Sequence, residues 1–189
     1  MHLLAIDPGT TNSAYSVLTD RYEIVSSADT ENDAVLKLVI DGEYDDLVIE
    51  GMQPRLLNMQ STATKSARPQ MIGSETYETC IWIGRFIQAA KHRGKPVHMV
   101  YRSEERSAII PSKKNRLPPL PASTGKSIDS QIRAGLIARF AKHDKRNGKG
   151  TAKNRDTFYG FQGDMWASFA VGVTWLDKQR GGVQPRKKR

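Results

Sequence analysis

Apolar runs broken by polar turns organise the first half of this chain. In "LLAIDPGTTNSAYSVL", residues 3–18, two such runs, 3–7 and 13–18, flank the turn Pro8–Asn12. Glycine and proline between apolar runs mark a reversal, so the pattern predicts a hairpin, with "YEIVSS" (22–27) as a third strand. Thr30 is placed to cap a helix reaching about Asp41, with Ala34, Leu36, Val39 and Ile40 as its apolar residues. "DLVIE" (46–50) is a short continuous apolar run, as in a strand covered on both faces. "SETYETCIWIGRFIQAAKHRG" runs from a Ser74 cap to Gly94 and predicts a long helix. "KPVHMV" (95–100) predicts a strand, "RSEERSAII" (102–110) a short helical turn, and residues 127–142 and 164–178 two amphipathic helices. Two segments lack periodicity. Residues 51–73 are longer than most connections, which points to function, and "PSKKNRLPPLPASTG" (111–125) is a Pro-rich basic loop.

A three-strand meander followed by helix, strand, helix, strand and further helices predicts an α/β fold, a mixed five-stranded sheet with helices on its faces. The 189 residues suit one domain, expected over 1–178, with 179–189 as a basic tail.

Charge adds a partner to this outline. Lys and Arg outnumber Asp and Glu by 29 to 20, and the excess is clustered. "KHDKRNGKGTAKNR" (142–155) carries Lys142, Lys145, Arg146, Lys149, Lys153 and Arg155 against one acid, and the chain closes on "QPRKKR". Either cluster alone could be a solvated loop or tail; together they point to a polyanion. The single Cys80 can form no internal disulfide, which fits a reducing cytoplasmic setting. No apolar run approaches the roughly 18 residues of a membrane span, and Met1 leads directly into the first strand, with no room for a signal peptide.

The candidate chemistry lies in three acids. Asp7 and Glu50 each end an apolar strand, and each is followed by a glycine, Gly9 or Gly51, that keeps the nearby backbone unobstructed. If the two strands are neighbours, the two carboxylates emerge together, and paired carboxylates suit hard divalent cations. Asp164 opens the last helix on the stripe that continues through Ala167, Val171 and Trp175. Each acid has a plainer reading: Asp7 and Glu50 as strand-end carboxylates facing water, Asp164 as a helix cap or dipole partner.

Two groups of proteins share the opening motif. "IDPGTTNS" is similar to the first phosphate loop of actin-like ATPases such as the heat-shock chaperones, but no second Gly-rich Asp-x-Gly-x-Gly loop follows. Over a longer stretch, "AIDPGTTNSAYSV", "LVIEGMQ", "SIDSQIRAGLIARF" and "YGFQGDMWASFAVGVTW" resemble in order and spacing the RuvC-like Holliday-junction resolvases, above all those carried by bacteriophages. The resemblance runs from Leu3 to Trp175. It implies a ribonuclease H-like fold, a homodimer, and cleavage of four-way and related branched DNA with magnesium or manganese. It also implies Asp7, Glu50 and Asp164 as catalytic metal ligands. Asp7 would bridge two ions about 3.5–4 Å apart, Glu50 would bind one and Asp164 the other. Arg106 and Lys126 fall near the family's basic active-site positions, and Lys113, Lys114, Arg116, Lys126 and the six cations of 142–155 become candidate DNA contacts.

The chain departs from that family in two places. The family carries two acids, or a histidine and an acid, three residues apart in its last helix, whereas Asp164 is flanked at that spacing by Phe161 and Ala167. Asp129 is the candidate for the missing ligand, with helix capping as its plainer role. Met52 and Pro54 stand where the family places an aromatic wedge. A non-catalytic DNA-binding module of the same fold is the alternative these departures keep open.

Overall fold

The computed structural model describes residues 1–52, 73–112, 117, 119–121 and 123–181. Its strands are β1 (His2–Asp7), β2 (Asn12–Thr19), β3 (Ile24–Glu31), β4 (Asp46–Gly51) and β5 (Val97–Tyr101). They form one sheet in the order β3-β2-β1-β4-β5, with β1 antiparallel to β2 and parallel to β4, and β4 parallel to β5. The three parallel strands therefore finish at the same edge, which receives Asp7, Glu50 and the residues after Tyr101.

Period-two alternation explains why the central strands read as unbroken apolar runs. Leu3 and Ala5 join Val48 in a core on one face, while Leu4 and Ile6 join Leu47 and Ile49 in a second core on the other. The second face is covered by α1 (Asn32–Asp41) and α2 (Ser74–His92), the first by α3 (Arg102–Ile109), α4 (Ile128–Phe140) and α5 (Met165–Gln179). α5 lies directly on the strands: a Cβ at Gly172 would stand 2.4 Å from Leu18 Cδ1 and 3.1 Å from the Cβ of Ala5. No described helix is long and apolar enough to cross a membrane.

Some local expectations change. β3 runs to Glu31 because it pairs with β2 as far as Asn12, so Thr30 lies in the strand and does not cap α1. Gly73, not Ser74, holds the cap position of α2, without a side-chain hydrogen bond. Cys80 is exposed, since the buried stripe of α2 is Thr79, Ile83, Phe86 and Ala90. Most of the aperiodic stretch, residues 53–72 including Pro54, lies outside the described residues, as do Lys113, Lys114, Arg116 and the tail from 182. Met52 is described and is exposed.

Candidate active site

The turn after Asp7 is fixed by its own sequence. A Cβ at Gly9 would sit 2.2 Å from the Asn12 carbonyl oxygen, so only glycine lets this turn close. The buried Asn32 at the start of α1 accepts a hydrogen bond from Ser13 Oγ and donates to the carbonyls of Gly9 and Thr10 at 3.1 and 3.0 Å. Gly51 has a different reason: a side chain there would collide with Tyr101 and Met99 of the neighbouring strand, 2.6 and 2.7 Å away.

Beside that turn the acids converge. Ile6 pairs with Ile49 across β1 and β4, so Asp7 and Glu50 follow side by side. The Asp7 carboxyl is held well above the ordinary carboxylate range. Burial is the main cause, followed by the charge of Glu50 and a hydrogen bond with it, then by the charges of Asp164 and Glu105. Asp164 stands at the N-cap of α5, but its side chain makes no capping hydrogen bond, so the carboxylate is not spent on the helix end. Its charge also helps burial raise Asp29 on β3, which lies on that flank of the site.

On the other flank stands Glu105. On α3 it shares the inward stripe with Ile109, and none of its surface is exposed. Burial, reinforced by the charge of Glu50, pushes its carboxyl up to about 8, against the opposing pull of Arg102. Arg102 Nη1 lies 2.9 Å from Glu105 Oε2 and 4.0 Å from Glu50 Oε2, and its other terminal nitrogen is ion-paired with Asp129. α3 is itself anchored: Glu104 accepts from the Tyr101 backbone at 2.9 Å and from Lys178 of α5 at 2.6 Å.

Of the acids expected from sequence, Asp7 and Glu50 thus meet, Asp164 is near enough to act on Asp7, and Asp129 sits beyond Arg102 with its side chain 74% exposed. Sequence reasoning passed over Asp29, Arg102 and Glu105. The signal for Glu105 was an acid four residues before Ile109, on the inward stripe of a short helix. Arg106, the cation expected on this helix, is exposed on α3, as is Lys126 just before α4.

The donor set is all carboxylate and mutually repelling, with Glu105 buried, Asp7 and Glu50 half-buried and Asp164 exposed. One oxygen, Glu105 Oε1, has no hydrogen-bond partner among the described residues, and the all-oxygen set fits a hard divalent cation by chemistry. Among the described residues no three His, Cys, Asp or Glu side chains are drawn close enough to hold an ion as they stand.

The basic loop after α4 is tied together by hydrogen bonds visible only in three dimensions. Asp156, its side chain fully buried, accepts backbone N–H bonds from Lys142, His143, Asp144 and Thr157 at 2.6–2.9 Å. Burial alone would raise its carboxyl; those four donors outweigh it and hold the group below the ordinary range. Asp144 accepts from Arg146, Asn147, Lys149 and Gly150 and is likewise lowered, most by Gly150 and Asn147. Gly148 and Gly150 supply the positive φ the loop needs, and Phe158 packs beneath it, tilted against Trp166 and edge-on to Phe169. With the backbone so tied, Lys142, Lys145, Arg146, Lys153 and Arg155 are exposed and Lys149 half-buried.

No family model and no curated protein matches this chain. Solved structures do. One is Thermus thermophilus RuvC in complex with a Holliday-junction substrate, with a TM-score of 0.58 at 12% identity over 96% of each chain. Another is a Thermus thermophilus RuvC structure, with a TM-score of 0.55 at 12% identity over 96% of this chain and 98% of that one. The fold is ribonuclease H-like. At that identity the likeness speaks for the architecture, and the chemistry rests on the residues above.

Proposed function

We propose that this chain is a structure-specific DNA endonuclease that cuts four-way Holliday and related branched junctions by divalent-metal-assisted phosphodiester hydrolysis. The observation that carries the reading is the meeting of Asp7 and Glu50, with Asp164 beside them, at the edge where the parallel strands end. An exposed cationic loop on a hydrogen-bonded backbone lends support, as does the junction complex among the structural neighbours.

Asp7, Glu50 and Asp164 would hold Mg2+ or Mn2+, two ions per site. Such ions supply an activated water and stabilise the leaving 3′ oxygen. The chain's own residues do the rest. The Gly9–Asn12 turn and Asn32 keep the Asp7 carboxylate in place, and the pairing of β1 with β4 sets Glu50 against it. Arg106, Lys126 and the cations of the 142–155 loop, with Lys113, Lys114 and Arg116, would grip phosphates, so branch shape rather than base sequence governs affinity. Two copies in a homodimer would present two sites to two strands of one junction. The protein would work in the cytoplasm, in an infected host if a bacteriophage encodes it.

The deciding experiment is incubation with synthetic four-way, three-way, flap and linear duplex DNAs, with and without magnesium. Metal-dependent nicking confined to branched substrates is expected. A second reading, a non-catalytic junction binder of the same fold, draws on Ala167, which leaves Asp164 without a second acid three residues on at the start of the last helix. Tight junction binding without nicking under any metal would favour it.

A further inference from the structure

The acid lacking from α5 raises the question of which carboxylate completes the site, and three candidates surround it. Asp129 is exposed, and its carboxylate is already engaged by Arg102. Asp29 is exposed on β3, on the Asp164 flank. Glu105 differs from both. It is enclosed in the core with no exposed surface, and among the described residues one oxygen is bound only to Arg102 and the other, Oε1, has no partner. A buried carboxyl with an orphaned oxygen is costly to keep, and proteins seldom leave such a group without a partner. Its neighbour across the Arg102 guanidinium is Glu50, so the group lies against the acids of the proposed metal site.

We propose that Glu105 is the fourth carboxylate of the metal site, supplied from α3 in place of an acid on α5, and that Arg102 is the counter-cation standing between it and Glu50 until a metal ion binds. This rests on the nuclease reading above. A divalent ion beside Glu50 and Glu105 would satisfy the orphaned oxygen and repel the guanidinium, which already has a second carboxylate, Asp129, to retire to. Asp129 then acts as the outer berth for Arg102 and does not touch the metal. The first turn of the short α3 is held through Glu104, which accepts from the Tyr101 backbone and from Lys178 of α5.

The test is Mn2+ titration of the full-length protein, read by the electron paramagnetic resonance of free Mn2+, beside thermal unfolding in EDTA. Wild type, Glu105→Gln, Asp129→Asn and Asp7→Asn are compared. Glu105→Gln is expected to lose one of two bound ions or to bind at least tenfold more weakly, with an unchanged or higher Tm in EDTA. Asp129→Asn, which removes only the outer berth of Arg102, should weaken binding by less than Glu105→Gln does. Unaltered Mn2+ binding by Glu105→Gln, together with a lowered Tm in EDTA, would make Glu105 a structural anchor for Arg102 and overturn the proposal. Weakened binding only in Asp129→Asn would also overturn it, in favour of that acid. If Asp7→Asn too binds Mn2+ like wild type, the metal-nuclease reading itself fails; if Asp7→Asn alone loses it, only the assignment of Glu105 falls. Should Glu105→Gln not fold, Glu105→Asp keeps the charge on a shorter arm. Weaker binding at wild-type Tm is then expected, and wild-type binding would refute the assignment.

Discussion

Asp7 and Glu50 end two adjacent parallel strands with their carboxyl groups within hydrogen-bonding reach of each other, and burial and this neighbour together favour the protonated form of Asp7. Two half-buried acids in that relation favour a shared proton or a cation between them, because two bare charges so close in a poorly solvated site repel strongly. A shared proton relieves that repulsion, and on the proposed reading a metal ion would take its place.

Replacing one member separates binding from chemistry. Asp7→Asn is expected to abolish junction cleavage while binding stays equal or tightens, since the change removes a negative charge facing a polyanion. Parallel cleavage and gel-shift assays check it, and undiminished cutting by the folded variant would remove the nuclease reading.

Asp164 is tested by a substitution that a helix cap would tolerate. Asparagine caps as well as aspartate, and the Asp164 side chain makes no capping bond in any case. Asp164→Asn should therefore keep the wild-type Tm within about 2 °C while cleavage falls by orders of magnitude, as loss of leaving-group stabilisation predicts. Asp129→Asn run beside it should cut at near-normal rate. Wild-type speed in Asp164→Asn would displace that residue from the site.

The basic loop depends on Asp156, whose folded-state carboxyl lies below its unfolded value near 3.8. A lowered acid adds stability above the unfolded value and loses it as pH falls toward the folded one. Amide protection factors of residues 142–150, corrected for the intrinsic pH dependence of exchange, should hold from neutral pH to about pH 4 and fall below it, ahead of those of the sheet. Asp156→Ala strands four backbone N–H groups, and is expected to reproduce that loosening at pH 7 and weaken junction binding about tenfold. Slow loop exchange in Asp156→Ala would mean that something else holds the loop.

Junction affinity measured in EDTA should fall steeply with salt, the log–log slope changing by about 0.9 for each phosphate contact. Lys145→Ala with Arg146→Ala should flatten it by about two such contacts. Removing residues 184–189 should weaken all DNAs alike. A salt profile already flat in wild type would point to a partner other than nucleic acid.

The order of elements, the meander and the positions of Asp7, Glu50 and Asp164 at element ends were legible in the chain. Period-two apolar runs bounded by Pro8–Asn12 and by Gly51 leave few ways to pair the strands, and a residue ending a buried parallel strand emerges at the sheet edge wherever its neighbours lie. What local pattern could not decide was which polar groups would face one another from distant parts of the chain. β3 reaches Glu31 because β2 is there to pair with it, which no propensity at Thr30 announces. Glu105 reads as one more charge in "RSEERS" until α3 docks and removes it from water, and Arg102 becomes its counter-ion only because β5 delivers it between Glu50 and Asp129. Asp156 reads as a lone acid in a basic run until the loop folds four backbone N–H groups onto it. Periodicity encodes burial, because burial depends on which face of an element a residue occupies; the partner of a buried charge depends on how separate elements dock, and that is set only when the core closes.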